Sequence, residues 1–181
     1  MPLCINTNMY NDHFPEKRYK RTMDFLRSVA PPPAKILDLG VKNPFSGRME
    51  AQGYEVKNTS GEDLDLDIRA VAADTSGLVT AFEIFEHLVS PFTVLQAIKA
   101  SKLVATVPLR LWFAGAYRSK TDMWDRHFHE FEDWQFDWLL EKAGWAIKKT
   151  EKWTHPVGKF GLRPVLRYVT PRYYAVYAER R

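Results

Sequence analysis

The chain has 181 residues, 45% of them hydrophobic and 27% charged, with a formal net charge of +4. Length and mixture suit one soluble globular domain spanning 1–181 and leave little room for a second. One cysteine, Cys4, excludes an internal disulfide and fits a reducing compartment. No apolar run reaches the roughly 18 residues that cross a bilayer, and "MPLCINTNMYNDHF" lacks the basic lead and apolar block of a secretion signal, so a cytoplasmic location is expected.

In chain order, "PEKRYKRTMDFLRSVA" (15–30) predicts a helix with Pro15 near its start and Tyr19, Met23 and Leu26 on one face, ended by "PPP" (31–33). "KILDLG" (35–40) reads as a buried parallel strand closed by Gly40. A short helix over 45–53, a strand over 54–59 and a weak strand around 63–68 follow. "GLVTAFEIF" (77–85) predicts a strand. "SPFTVLQAIKAS" (90–101) predicts a helix with Ser90 as N-cap and Pro91 at its first position. "KLVATVPL" (102–109) is the next buried strand.

Residues 110–131 are aromatic and basic without a clear period, which predicts a loop or lid. "EDWQFDWLLEKAG" (132–144) predicts an amphipathic helix ended by Gly144. "WAIKKTEKW" (145–153) and "YYAVYAER" (173–180) predict two strands joined by the basic, Gly- and Pro-rich connection 154–172. Strands alternating with helices predict an α/β fold, Rossmann-like and doubly wound, with a mostly parallel sheet in a three-layer α/β/α sandwich. With no helix expected between them, the last two strands pair antiparallel.

The charge is uneven. Residues 154–181 carry six bases against Glu179, a net of +5, and residues 55–74 carry six acids against Lys57 and Arg69, a net of −4. A basic tail of this kind is usually a solvated face, and it is also a candidate surface for RNA or another anionic partner.

In open α/β sheets, ligands bind beyond the carboxyl ends of the strands. Three candidate stretches fall there: Asp38–Gly40, Asn58–Ser60, and Glu83 through His87. Glycine lets a ligand approach the backbone, and acids with a histidine in an apolar stretch need partners or a bound group.

"KILDLG", "FEIFEHLVSPF", "LVATVP" and "HEFEDWQFDWLLEKAGW", followed by a terminal strand pair, occur in this order over 15–180. In these pieces the chain resembles the small class I S-adenosylmethionine-dependent methyltransferases. The resemblance implies a seven-stranded sheet with an antiparallel final strand. It also implies methyl transfer to an oxygen or nitrogen acceptor, with S-adenosylmethionine bound at Asp38, Leu39, Gly40, Asn58, Thr59, Ser60, Phe82 and Glu83. Two departures stand out. The family's Gly-x-Gly-x-Gly reads here as "GVKNPFSG", leaving Gly40 and Gly47. The acid ending strand two, which holds the ribose hydroxyls, is replaced by Thr59 or Ser60, with Glu62 or Asp63 as substitutes in the following loop.

Glu83, Glu86 and His87 are spaced i, i+3, i+4, and "RHFHEFE" (126–132) adds His127 and His129, whose rings share a side if the segment is extended. Two readings of this set stand. In one, Glu86 caps a helix and His87 orients a loop, with His87 or His129 as general base. In the other, small-RNA 3′-terminal and some quinone-pathway O-methyltransferases provide the pattern. By resemblance to them, Glu83, Glu86, His87 and His129 hold Mg²⁺, Mn²⁺ or Zn²⁺.

The aromatic residues Trp112, Phe113, Tyr117, Trp124, Phe128 and Trp134 form either a small core beneath the lid or a wall around the acceptor or sulfonium. A relative that binds nucleotide, RNA or a partner without catalysis is the alternative function, favoured by the degenerate glycine motif. A nicotinamide oxidoreductase is disfavoured because Gly-x-Gly-x-x-Gly is missing after strand one.

Overall fold

The computed structural model describes residues 16–156, 158 and 160–181; Cys4, Pro15 and Lys159 lie outside them. The elements are α1 (Glu16–Val29), β1 (Lys35–Asp38), α2 (Pro44–Ala51), β2 (Glu55–Asn58), α3 (Arg69–Ala73) and β3 (Leu78–Phe82). A 3-10 turn (Phe85–His87) follows, then α4 (Pro91–Ala97), β4 (Lys102–Pro108), α5 (Asp133–Lys142), β5 (Trp145–Thr154), α6 (Leu162–Val169) and β6 (Pro171–Arg180). Among the described residues no helix is long and apolar enough to cross a membrane.

The six strands form one sheet in the order β2-β1-β3-β4-β6-β5. Strands β1 to β4 run parallel, and β6 is antiparallel to both β4 and β5. Alternation along the strands feeds two cores. Leu37, Val79 and Leu103 pack with α4 and α5 on one face. Ile36, Leu78 and Val104 pack with α1 and α2 on the other. Burial on both faces explains why β1, β3 and β4 read as unbroken apolar runs. β1 has β2 on one side and β3 on the other, so the winding reverses there and a crevice opens above their carboxyl ends.

Four expectations are corrected. Among the described residues the sheet has six strands rather than seven, and the stretch 63–68 holds a turn over 64–66 in place of a strand. The alternating "DLDLD" imitates a strand, but its acids hold backbone amides instead. Asp65 accepts from the amides of Val89 and Ser90 at 2.8 Å each. Asp63 accepts from the Asp65 amide at 3.0 Å. Leu66 consequently stands 86% exposed. Strand β3 stops at Phe82 rather than at 85, because Glu83 turns the chain with φ 57°. Ser90 occupies the N-cap of α4 and Pro91 follows at its start, as expected, with the Ser90 hydroxyl paired to Thr93 Oγ1 at 2.8 Å rather than to a helix amide.

The connection 154–172 contains helix α6, which Gly158, Gly161 and Pro164 disguise in the sequence. Gly161 (φ 132°) precedes the helix, and Pro164 sits in its first turn, where a missing N–H costs no helix bond. The strands on either side still pair antiparallel.

Candidate active site

Asp38 forms the floor of the crevice. It is buried at the end of β1, with Oδ1 accepting from Thr80 Oγ1 at 2.6 Å. Oδ2 accepts from Asn58 Nδ2 at 3.0 Å and Ser46 Oγ at 3.3 Å. Desolvation lifts its pKa to about 6, against the downward pull of these three bonds. Asn58 also donates to the Gly40 carbonyl at 3.2 Å, and the Gly40 amide donates to Thr59 Oγ1 at 2.7 Å. The end of β2 is thereby knitted to the loop after β1, with a hydroxyl where the resemblance implies an acid. Gly40 itself has φ 113°, a conformation that suits glycine. Asn43 caps α2, its Oδ1 accepting from the Phe45 and Ser46 amides.

Above this floor the crevice has two lobes that share Gly40, Ile84 and His87. The first, about 460 Å³, is lined by Asp38, Leu39, Phe82, Glu83, Glu86 and His127, with Arg18, Arg172 and Tyr173 closing its side. The second, about 490 Å³, is more apolar and includes Thr59, Glu62, Asp63, Trp124 and Phe128. Both volumes suit a small-molecule site. Of the eight residues expected at the cofactor, Asn58 and Ser60 line neither lobe. Ser60 is exposed, its amide bonded to Glu62 Oε2 at 2.6 Å.

The acid and histidine residues are sorted in an unexpected way. Glu83 accepts from Thr106 Oγ1 at 3.0 Å and lies 3.7 Å from the Arg18 guanidinium. Glu86 is 1% exposed, lies 3.7 Å from His87 Nε2 through Oε1, and has no hydrogen-bond partner at Oε2. Burial, reinforced by the charge of Glu83, raises its pKa well above the usual carboxylate range. His87 Nδ1 lies 3.1 Å from the Arg126 carbonyl. A carbonyl only accepts, so Nδ1 donates this bond, and Nε2 is the nitrogen that faces Glu86.

The third member is His127, not His129. Ligand atoms of Glu86, His87 and His127 all lie within 4.8 Å of one another. His127 Nδ1 is buried without a hydrogen-bond partner, and burial together with nearby His87 lowers the ring's pKa. His129 instead stacks on Phe131 and sets Nε2 3.3 Å from the Val89 carbonyl. The two rings separate because the amides of Phe128 and His129 both donate to the Glu86 carbonyl, bending the segment. The set Glu83, Glu86, His87, His129 is therefore not assembled.

The lid residues do not form a small core: among the six aromatics named above none is buried. Tyr117 lines the first lobe, and Trp124 and Phe128 line the second, so three of them form wall. Trp134 stands on α5, edge-on to Trp138. Arg18, Arg172 and Tyr173 carried no motif in the sequence. The sheet brings Arg172 and Tyr173 to the crevice by setting the start of β6 beside the end of β4, and Arg18 reaches it from α1.

No protein-family model matches this chain, and no curated protein matches its sequence. Solved structures match its shape. A Listeria monocytogenes protein, a candidate S-adenosylmethionine-dependent methyltransferase, is 14% identical over 91% of this chain and 98% of its own, with a TM-score of 0.61. The Burkholderia thailandensis 1,6-didemethyltoxoflavin-N1-methyltransferase, solved with 1,6-didemethyltoxoflavin and S-adenosylhomocysteine, is 14% identical over 92% of this chain and 79% of its own, with a TM-score of 0.60. The [4+2]-cyclase SpnF is 12% identical over 91% and 82%, with a TM-score of 0.56. The chain has the fold of the class I S-adenosylmethionine-dependent methyltransferases. SpnF carries a differently named reaction on a similar fold, so activity has to be argued from the site.

Proposed function

We propose that the whole chain acts as one S-adenosylmethionine-dependent methyltransferase domain, moving a methyl group to an oxygen or nitrogen acceptor. The observation that carries this reading is the pair of buried atoms without a hydrogen bond, Glu86 Oε2 and His127 Nδ1 (the latter 3.6 Å from Glu130 Oε1), beside His87 at the waist of the crevice. Buried polar atoms are ordinarily satisfied, so atoms left open on a cavity wall suit a bound group.

The residues present fit the cofactor. Glu62 and Asp63 line the second lobe and suit the ribose hydroxyls, the task of the missing strand-two acid. Arg18 and Arg172 suit a carboxylate, and Glu83 beside Arg18 suits an ammonium. When bound, S-adenosylmethionine supplies an electrophilic methyl group. His127, kept neutral by burial, and His87 Nε2 are the atoms that take a proton from the acceptor. The walls position the acceptor and exclude water, which supplies much of the rate in a displacement of this kind.

Glu86, His87 and His127 also fit a divalent ion, with one carboxylate and two imidazoles as donors. Such an ion would supply Lewis acidity toward the acceptor oxygen or nitrogen. A second reading, a non-catalytic relative, draws on the closure of Thr59 and Asn58 onto Gly40.

Calorimetry with S-adenosylhomocysteine tests the cofactor. Binding is expected, and Ile84→Trp, which fills the waist between the lobes, is expected to weaken it at least tenfold. Release of S-adenosylhomocysteine is then followed with a panel of phenols, amines and short RNAs, with and without chelator. No heat at millimolar ligand moves the conclusion to the non-catalytic relative.

A further inference from the structure

Helix α6 is built inside out. None of its residues is buried, and Leu162, Val165, Tyr168 and Val169 are all exposed, Leu162 by 76% and Val169 by 74%. At 100° per residue these four side chains fall within an arc of roughly 120°. Phe160, just before the helix, is fully exposed as well. The side holding Pro164 and Arg167 is half-buried, and Arg163 is exposed beyond the apolar arc. A helix normally turns such a stripe toward the core; this one presents it to the outside.

The charge of the sequence around α6 is one-sided, with Lys152 already paired to Asp133. Residues 152–178 contain Lys152, Lys159, Arg163, Arg167 and Arg172 and not one Asp or Glu. A second copy of the chain would set one basic helix against another, which is repulsive. A nucleic acid would match the charge and leave the aliphatic side chains in water. An anionic bilayer matches both features, with headgroups for the arginines and an acyl boundary for the stripe.

We propose that the exposed face of α6, with Phe160, docks on an anionic lipid surface. The helix leads directly into Pro171–Tyr173, and Arg172 and Tyr173 line the first lobe. Docking by this face holds the mouth of that lobe near the headgroups. It does not depend on whether the crevice transfers a methyl group.

Sedimentation of the full chain with vesicles tests this. Vesicles of phosphatidylcholine with about one-third phosphatidylglycerol are compared with phosphatidylcholine alone. The chain is expected to bind the anionic vesicles at least tenfold more tightly, and half-molar salt is expected to weaken that binding. The double variant Leu162→Glu, Val165→Glu changes only exposed positions. It is expected to abolish sedimentation while retaining the circular dichroism and thermal midpoint of the parent. Equal partitioning with and without vesicles overturns the proposal. So does a dimer in solution that the double variant dissociates, which assigns the stripe to a second copy. RNA binding with no vesicle binding also overturns it, and assigns the basic segment to nucleic acid.

Discussion

The ring of His127 meets that of His87 edge-on with 4.8 Å between centroids, while Tyr117 covers His127 from another side at 4.5 Å. This contact brings an imidazole from the lid to the carboxyl end of β3. It separates two histidines that stand two residues apart. His127→Ala is therefore expected to lower turnover at least tenfold, and ion affinity with it where an ion is bound. His129→Ala removes a stack on Phe131 and a bond to a carbonyl, and is expected to leave turnover within about twofold. Chelation followed by return of Mg²⁺, Mn²⁺ or Zn²⁺ separates the two roles of His127. Full activity in chelator leaves it as a base.

Asp38 gives the fold a pH dependence. Its pKa rises from 3.8 to about 6 on folding, so the folded state holds a proton that the unfolded chain has released. The contribution is fully present below the unfolded value and is lost as pH rises through the folded one. Stability is expected to fall by about 3 kcal/mol from this group as pH rises through that window. Denaturation at pH 4 and pH 7 checks the direction. A carbon-detected titration of the Asp38 carboxyl, with a midpoint near 6, checks the assignment.

Arg180 fastens the far end of the sheet. Its guanidinium lies 4.5 Å above Trp145 and donates to the carbonyls of Ala143, Gln96 and Ile98. It thus closes the exposed ends of α4 and α5 together. Arg180→Ala is expected to cost about 2 kcal/mol in chemical denaturation, with the crevice unaffected. Arg180→Lys is expected to recover less than half, since one ammonium cannot reproduce the planar fork.

The lid gives a dynamic prediction. The stretch 110–131 is irregular and mostly exposed, and is tied down at Leu109, Arg110 and Glu86. Its amides are expected to exchange more slowly when cofactor and acceptor are both bound, because Tyr117, Trp124 and Phe128 form crevice wall. Equal protection in the free and doubly bound protein removes the gating role.

The residue order alone determined the α/β alternation, the buried character of β1, β3 and β4, and the antiparallel pair at the end. The first two follow from local apolar runs and breakers such as Gly144 (φ 89°), where the cause lies within a few residues of the effect. The antiparallel pair forms although α6 lies between its strands, against the premise on which it was expected. The same reasoning set Gly40, Glu83, Glu86 and His87 at strand ends, where the crevice opens. Only the tertiary structure decided what these residues meet. Asp65 abandons a strand because amides 24 and 25 residues away take its carboxylate. Asp38 is engaged by a hydroxyl 42 residues away. His127 displaces His129 because the Glu86 carbonyl bends the lid. In α6, glycine and proline conceal a helix whose apolar stripe faces outward. Periodicity reports that a stripe exists, whereas its direction depends on how β5 and β6 hold the two ends of the connection.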